Sequence, residues 1–126
     1  VSGHGDPVGT MTFEWSLDVR YLTLRSTLPP PFPRSMAVIE YDDEVSEFRQ
    51  HYFDSRGVTR VYRMTLTGSE WTLLRTEPDF SPLGFAQRFT GTIADDGRSV
   101  DGRWEQSHDG GLTWEHDFGV RLERQP

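Results

Sequence analysis

Phe85-Ala86-Gln87-Arg88-Phe89, then Gly102-Arg103-Trp104-Glu105-Gln106, then Thr113-Trp114-Glu115-His116-Asp117-Phe118: the fold is decided in these three runs, which are separated by Asp96-Gly97 and Asp109-Gly110-Gly111. Alternate residues in each run sort onto two faces, as they do along a β-strand with its side-chain period of two. One face collects Phe, Trp, Gln and His, the other Arg, Glu, Asp and Thr. A plain core would have Leu, Ile and Val where the glutamines stand. The pattern predicts an antiparallel sheet whose inner face lines a cavity.

Turn chemistry sets the register. Asp96-Gly97 is a two-residue hairpin signature, which pairs Ile93 with Val100, Gly91 with Gly102, Phe89 with Trp104, Gln87 with Gln106 and Phe85 with His108. A three-residue Asp109-Gly110-Gly111 loop pairs Gln106 with Trp114, Trp104 with His116 and Gly102 with Phe118. The outer face then sets Arg88 beside Glu105 and Arg103 beside Asp117, ion pairs suited to a wet surface. Glu105 beside Glu115 is a like-charge exception.

Working outward, short alternating runs fill the chain at about 10–17, 21–28, 36–41, 46–54, 58–66, 71–76, 85–94, 99–108 and 112–123. Gly68-Ser69 pairs Leu66 with Trp71 and Met64 with Leu73. Ser55-Arg56-Gly57 pairs Tyr52 with Arg60, Gln50 with Tyr62 and Phe48 with Met64. Asp18-Val19 sets Trp15 by Leu22 and Phe13 by Leu24. At Asp42-Asp43-Glu44 the register leaves either Val38 or Ile39 facing inward. No segment carries a convincing helical period. Strands at this spacing indicate an all-β sandwich or barrel, and closing an antiparallel up-and-down meander of about eight to ten strands into a barrel removes its sticky edges. Residues 1–9 read as a flexible lead-in and 10–126 as one barrel domain. The Pro-rich run 29–33 and the connection 77–84 are candidate lid or rim loops.

Composition narrows the function. The 126 residues fit one domain. Hydrophobic residues make up 34 % and aromatic residues 13 % of the chain, and mean hydropathy is −0.63, so the core is small and leans on aromatics. A net charge of −7 opposes sequence-independent binding of nucleic acid. All 13 basic residues are Arg, which excludes Schiff-base lysine chemistry, and with no Cys there is neither disulfide nor thiolate chemistry. No run approaches a membrane helix. The expectation is a cytoplasmic protein with no nucleic-acid or membrane partner and no cofactor.

The inner face carries the candidate site. Tyr62, Phe89, Trp104 and Trp114 form aromatic walls, with Gln87, Gln106, His116 and Arg75 as polar groups converging on a small hydrophobic or aromatic molecule. A polar network satisfied by its own members is the competing reading. His116, the candidate acid or base, sits among aromatics; His108 falls at the rim, His51 on the outer face and His4 in the lead-in. No metal-ligand spacing is present. Arg60 and Arg75 flank Tyr62 as a candidate anion clamp, unless they pair with Glu40, Asp54 or Glu77.

Taken together, Tyr41-Asp42-Asp43, Tyr52-Phe53-Asp54-Ser55-Arg56-Gly57, Trp71, Asp79-Phe80-Ser81-Pro82, Gln87-Arg88-Phe89-x-Gly91, Gly102-Arg103-Trp104-Glu105 and Asp109-Gly110-Gly111-x-x-Trp114-Glu115-x-Asp117-Phe118 resemble the lipocalin-like (calycin) small barrels of unknown function common in actinobacteria. The resemblance implies a calycin-type barrel and no assigned activity. Such barrels begin with a further strand bearing Gly-x-Trp, which this chain lacks before Thr10. The barrel then closes with one strand fewer, a neighbouring chain fills the gap as a homodimer, or the domain is truncated. Nitrobindins share the general barrel, but their Gly-x-Trp-x-Gly-x-Gly signature is missing, which lowers a haem role for His116. The leading expectation is a small-molecule-binding barrel; the alternatives are an isomerase or cyclase acting on a natural-product intermediate, and a structural or partner-binding barrel with a filled core.

Overall fold

In a computed structural model, which describes residues 7–16, 21–77 and 84–125, the chain forms nine strands and no helix among those residues. They are β1 (Val8–Ser16), β2 (Tyr21–Thr27), β3 (Ser35–Asp42), β4 (Glu47–Asp54), β5 (Thr59–Thr67), β6 (Glu70–Arg75), β7 (Ala86–Ile93), β8 (Ser99–Ser107) and β9 (Glu115–Arg124). Each pairs with its sequence neighbour, and β1 pairs with β9 to close the barrel. The Asp18-Val19 turn and most of the 77–84 connection lie outside the described residues. No described helix is long and apolar enough to cross a membrane.

The closing seam follows from strand parity. In a meander with an odd number of strands the first and last run the same way, so β1 meets β9 in parallel, from Val8 opposite Arg121 to Met11 opposite Arg124. The nine strands therefore close without a further one. This seam also corrects the expected lead-in: Val8 and Gly9 belong to the sheet. Gly9 sits against β2 so closely that an added Cβ would lie 2.4 Å from the Thr27 carbonyl oxygen. The seam is short, and among the described residues the first part of β9 has strand pairing only to β8.

The registers read from turns hold for most of the barrel. Phe89 lies opposite Trp104 and Gln87 opposite Gln106; Tyr52 faces Arg60 and Gln50 faces Tyr62; Leu66 faces Trp71; Phe13 faces Leu24. At β3 the open choice falls to Ile39, which lies opposite Gln50 and is buried. Met11, Leu24, Tyr62, Trp71, Leu73, Phe89, Val100, Val120 and Leu122 form the buried cluster inside. Phe13 and Trp15 share the inward parity yet are 37 % and 59 % exposed, because β1 runs on past the last residue of β9 that pairs with it.

The β8–β9 hairpin departs from the expected register. Trp104 pairs with Phe118, Glu105 with His116 and Gln106 with Glu115, so a bulge leaves Asp117 without a partner on β8. The cause lies in the loop. The Asp109 carboxylate accepts from the Thr113 amide at 2.9 Å and from the Thr113 hydroxyl, while the Ser107 hydroxyl accepts from the Gly111 amide at 2.9 Å. Gly110 and Gly111 occupy left-handed backbone at φ 76° and 94°, where glycine carries no Cβ penalty. The hydrogen bonds to Thr113 draw residues up to 114 into the loop, and β9 begins three residues later than the turn signal suggests. The bulge also sets His116, rather than Glu115, against Glu105 and so removes the like-charge neighbours.

Candidate functional site

The barrel interior holds a cavity of about 320 Å³. Its walls come from the inward residues of β5 to β9, chiefly Tyr62, Trp71, Phe89, Trp104 and Phe118, with Leu24 and Ala37 from β2 and β3 opposite them. Leu28, Phe32 and Pro33 of the β2–β3 loop, Arg56 of the β4–β5 turn, and Phe85 before β7 frame one end as its mouth. The Pro-rich loop thus stands at the rim, and its Phe32 ring packs on Phe118 with centroids 5.2 Å apart. That contact covers the part of β9 which the short seam leaves without β1.

The aromatic walls are mutually braced. Trp71 and Phe89 meet edge to face at 5.3 Å, Phe89 and Trp104 tilt together at 5.1 Å, and Tyr62 and Trp104 at 5.6 Å. These separations fall in the range where ring quadrupoles attract. The Tyr62 hydroxyl donates to the Gln87 side-chain oxygen at 3.2 Å. One expected polar wall group is therefore engaged with an expected aromatic one.

The structure brings together Tyr62, Gln87, Phe89 and Trp104 of the expected site on the cavity wall. It leaves out the others. Arg75 is buried opposite Gln87 but does not line the cavity, and Gln106 is half-buried beside Gln87 without lining it. Trp114 and His116 are corrected outright. Beyond the bulge, His116 pairs with outward-facing Glu105 and is exposed. Trp114 lies on the outside, with the Arg88 guanidinium 4.3 Å from its ring centroid. That same Arg88 donates to Glu105 at 3.0 Å, as the turn register required, whereas Arg103 lies opposite Gly119 rather than Asp117. His116 has no access to the cavity as an acid or base.

The rim is organised by Asp54. Its side chain is fully screened from solvent. It accepts from the Tyr52 hydroxyl at 2.8 Å, from the Arg56 guanidinium at 2.6 Å and 3.1 Å, and from the Arg56 and Val58 amides at 2.9 Å and 3.4 Å. Burial pushes this carboxyl up, but the hydrogen bonds from Arg56 and Tyr52 outweigh it and hold the pKa at about 2. Burial and the neighbouring Asp54 together push the Tyr52 hydroxyl well above the usual phenol value. Arg56 is thereby neutralised. Glu40, another of the three expected partners for the rim arginines, instead meets His51 at 2.7 Å and Arg49 at 3.6 Å on the outer face.

Arg60, also on the cavity wall, is the charge these carboxylates leave over. Its Nε is buried without a hydrogen-bond partner, and so are the Gln50 side-chain oxygen and the Trp71 indole nitrogen, all on residues that line the cavity. Gln50 is only 4 % exposed. Buried polar atoms without partners cost about 1–3 kcal/mol each, so three around one cavity are a signal in themselves. Sequence alternation placed these three side chains inward without marking them as the unpartnered ones. Phe32 and Pro33 belong to the Pro-rich run read as a rim loop, whereas alternation missed Asp117, which reaches the cavity wall through the bulge.

Among the described residues no group of three or more His, Cys, Asp or Glu stands where it could hold a metal. Fold and site together define a closed, hollow, nine-stranded β-barrel with an aromatic interior. No protein-family model matches the chain, and no curated protein does.

Proposed function

We propose that the protein is a binding module, a lipocalin-like barrel that encloses one small hydrophobic or aromatic molecule. The observation that carries this reading is the cavity of about 320 Å³ walled by Tyr62, Trp71, Phe89, Trp104 and Phe118. It is about twice the ~150 Å³ apolar cavity known to take up benzene and lies within the range of small-molecule pockets. A molecule of about two rings fits that space. The interior of a purely structural barrel would be closed by side chains, and here it is not. The isomerase or cyclase alternative rested on His116, which the bulge turns outward.

Native mass spectrometry of the freshly purified chain tests the proposal. A single small molecule retained per chain, released as collision energy rises, is the expected result. A bare chain at every energy counts against it, and a dimer peak would report the subunit count in the same spectrum.

A further inference from the structure

We infer that the occupant is an aromatic monocarboxylic acid that enters ring first, leaves its carboxylate at the mouth on Arg60, and carries a hydroxyl group at its inner end. This rests on reading the cavity as a binding site and names the chemistry that would fill it.

The acid follows from the charges at the rim. Arg56 and Arg60 both line the cavity. Asp54 holds Arg56 through a carboxylate that Tyr52 also contacts. Arg60 lies opposite Tyr52 on β5, at the same end of the barrel, and its Nε is buried without a partner. A guanidinium presents donors in a planar fork that matches a carboxylate. A ligand carboxylate is the group this position lacks.

The single negative charge follows from the opposite wall. Asp117, carried out of the β8 register by the bulge, also lines the cavity. Bulges recur where a side chain must be re-aimed beside a site. A second carboxylate on the ligand would meet Asp117 or go into the apolar interior without water, and both are unfavourable.

The hydroxyl follows from depth. Tyr62 stands two residues further along β5 than Arg60, one step inward, and Gln50 lies opposite it; two residues of a strand advance the chain by about 6.6 Å. Trp71 lies further round the wall, opposite Leu66. The Gln50 oxygen needs a donor and the Trp71 nitrogen needs an acceptor. A hydroxyl is both, and rotation of the Gln50 terminal amide brings either of its polar atoms to the cavity. Tyr62, Phe89 and Trp104 supply the surfaces between these two ends for a flat ring system.

Calorimetric titration with four probes decides the matter: hydroxynaphthoate, a hydroxymethylnaphthol that replaces its carboxylate with a neutral alcohol, a hydroxynaphthalene dicarboxylate, and naphthoate without the hydroxyl. Naphthoate is expected to bind several-fold more weakly than hydroxynaphthoate; equal binding of these two acids overturns the hydroxyl. Wild type is expected to bind hydroxynaphthoate about 10- to 100-fold more tightly than the alcohol, the range expected for one charge-assisted contact. The dicarboxylate is expected to bind no better than the alcohol. Arg60→Gln should abolish the preference for the acid and leave the alcohol's affinity within a few fold, which also shows that the cavity is intact. If that variant does not fold, Arg60→Lys and the salt dependence of the wild type serve instead: acid affinity falls with added salt and the alcohol's does not. Equal affinity for acid and alcohol in wild type, or acid binding untouched at Arg60→Gln, overturns the carboxylate and leaves the cavity reading standing. Saturable binding by none of the probes overturns both.

Discussion

Gly102→Ala is expected to destabilise the barrel by about 1–3 kcal/mol, the usual cost of overpacking a formed core, although alanine suits a strand better than glycine does. Gly102 and Gly91 face one another across β7 and β8 on the inner face, and the Phe89 ring lies over both. A Cβ at residue 102 would come within 2.4 Å of one ring carbon and 2.5 Å of the next; at residue 91 it would come within 2.8 Å of the same ring and of Val100. Phe89 is 2 % exposed and wedged between Trp71 and Trp104. The open direction for its ring is the cavity, so the substitution should also weaken ligand binding. Chemical denaturation of a double-mutant cycle with Phe89→Leu checks the mechanism. If the clash is the cause, the two losses should fall short of additivity by about 1 kcal/mol or more; simple additivity would place the cost elsewhere.

Asp54→Asn is expected to cost about 2 kcal/mol at neutral pH and to change how the protein responds to acid. The Asp54 pKa is held at about 2 in the folded state, against about 4 for an ordinary carboxylate, and the gap is equivalent to about 2 kcal/mol. Because the folded value is the lower one, this stabilisation is complete above pH 4. It declines as pH falls through the window between about 4 and 2, where the unfolded chain takes up the proton first. Denaturation midpoints measured from pH 7 down to pH 2 should therefore fall more steeply in wild type than in Asp54→Asn, and the two curves should converge at the acid end. Parallel curves would mean that Asp54 contributes nothing through its charge. Asp109, also held at about 2 by the hydroxyl and amide of Thr113, adds to the acid sensitivity of both proteins equally.

Most of the barrel was legible because two-residue turns leave little freedom. Once Asp96-Gly97 was read as a tight hairpin, Phe89 had to meet Trp104 and Arg88 had to meet Glu105, and both do. The same logic placed Tyr62, Gln87, Phe89 and Trp104 on the cavity wall. It failed at Asp109-Gly110-Gly111 because a bulge has no signature in alternation. His116, Phe118, Val120 and Leu122 alternate without a break in the sequence, yet the bulge between His116 and Phe118 sends the first outward and leaves the rest inward. The like-charge Glu105–Glu115 pair is the one sequence signal against the uninterrupted register, and the chain adopts a register that abolishes it. The partner of Phe32 was out of reach for a different reason: its contact with Phe118 joins a loop to a strand seven elements along the chain. Which rim arginine keeps a free donor was equally hidden, since it depends on Asp54 choosing Arg56 over Arg60.

Calorimetric titration of wild type and Ala37→Phe with naphthylmethanol reports whether the hollow interior admits a ligand. Ala37 is 2 % exposed and lines the cavity from β3, opposite Leu24 and Tyr52. A phenyl ring there occupies the space reserved for the guest, while Arg60, Asp54 and Arg56 keep their own side chains. Saturable binding of one probe per wild-type chain, lost in an Ala37→Phe variant that still unfolds cooperatively, is the predicted result. Equal binding by both proteins would place the probe outside the barrel and rule out an interior site.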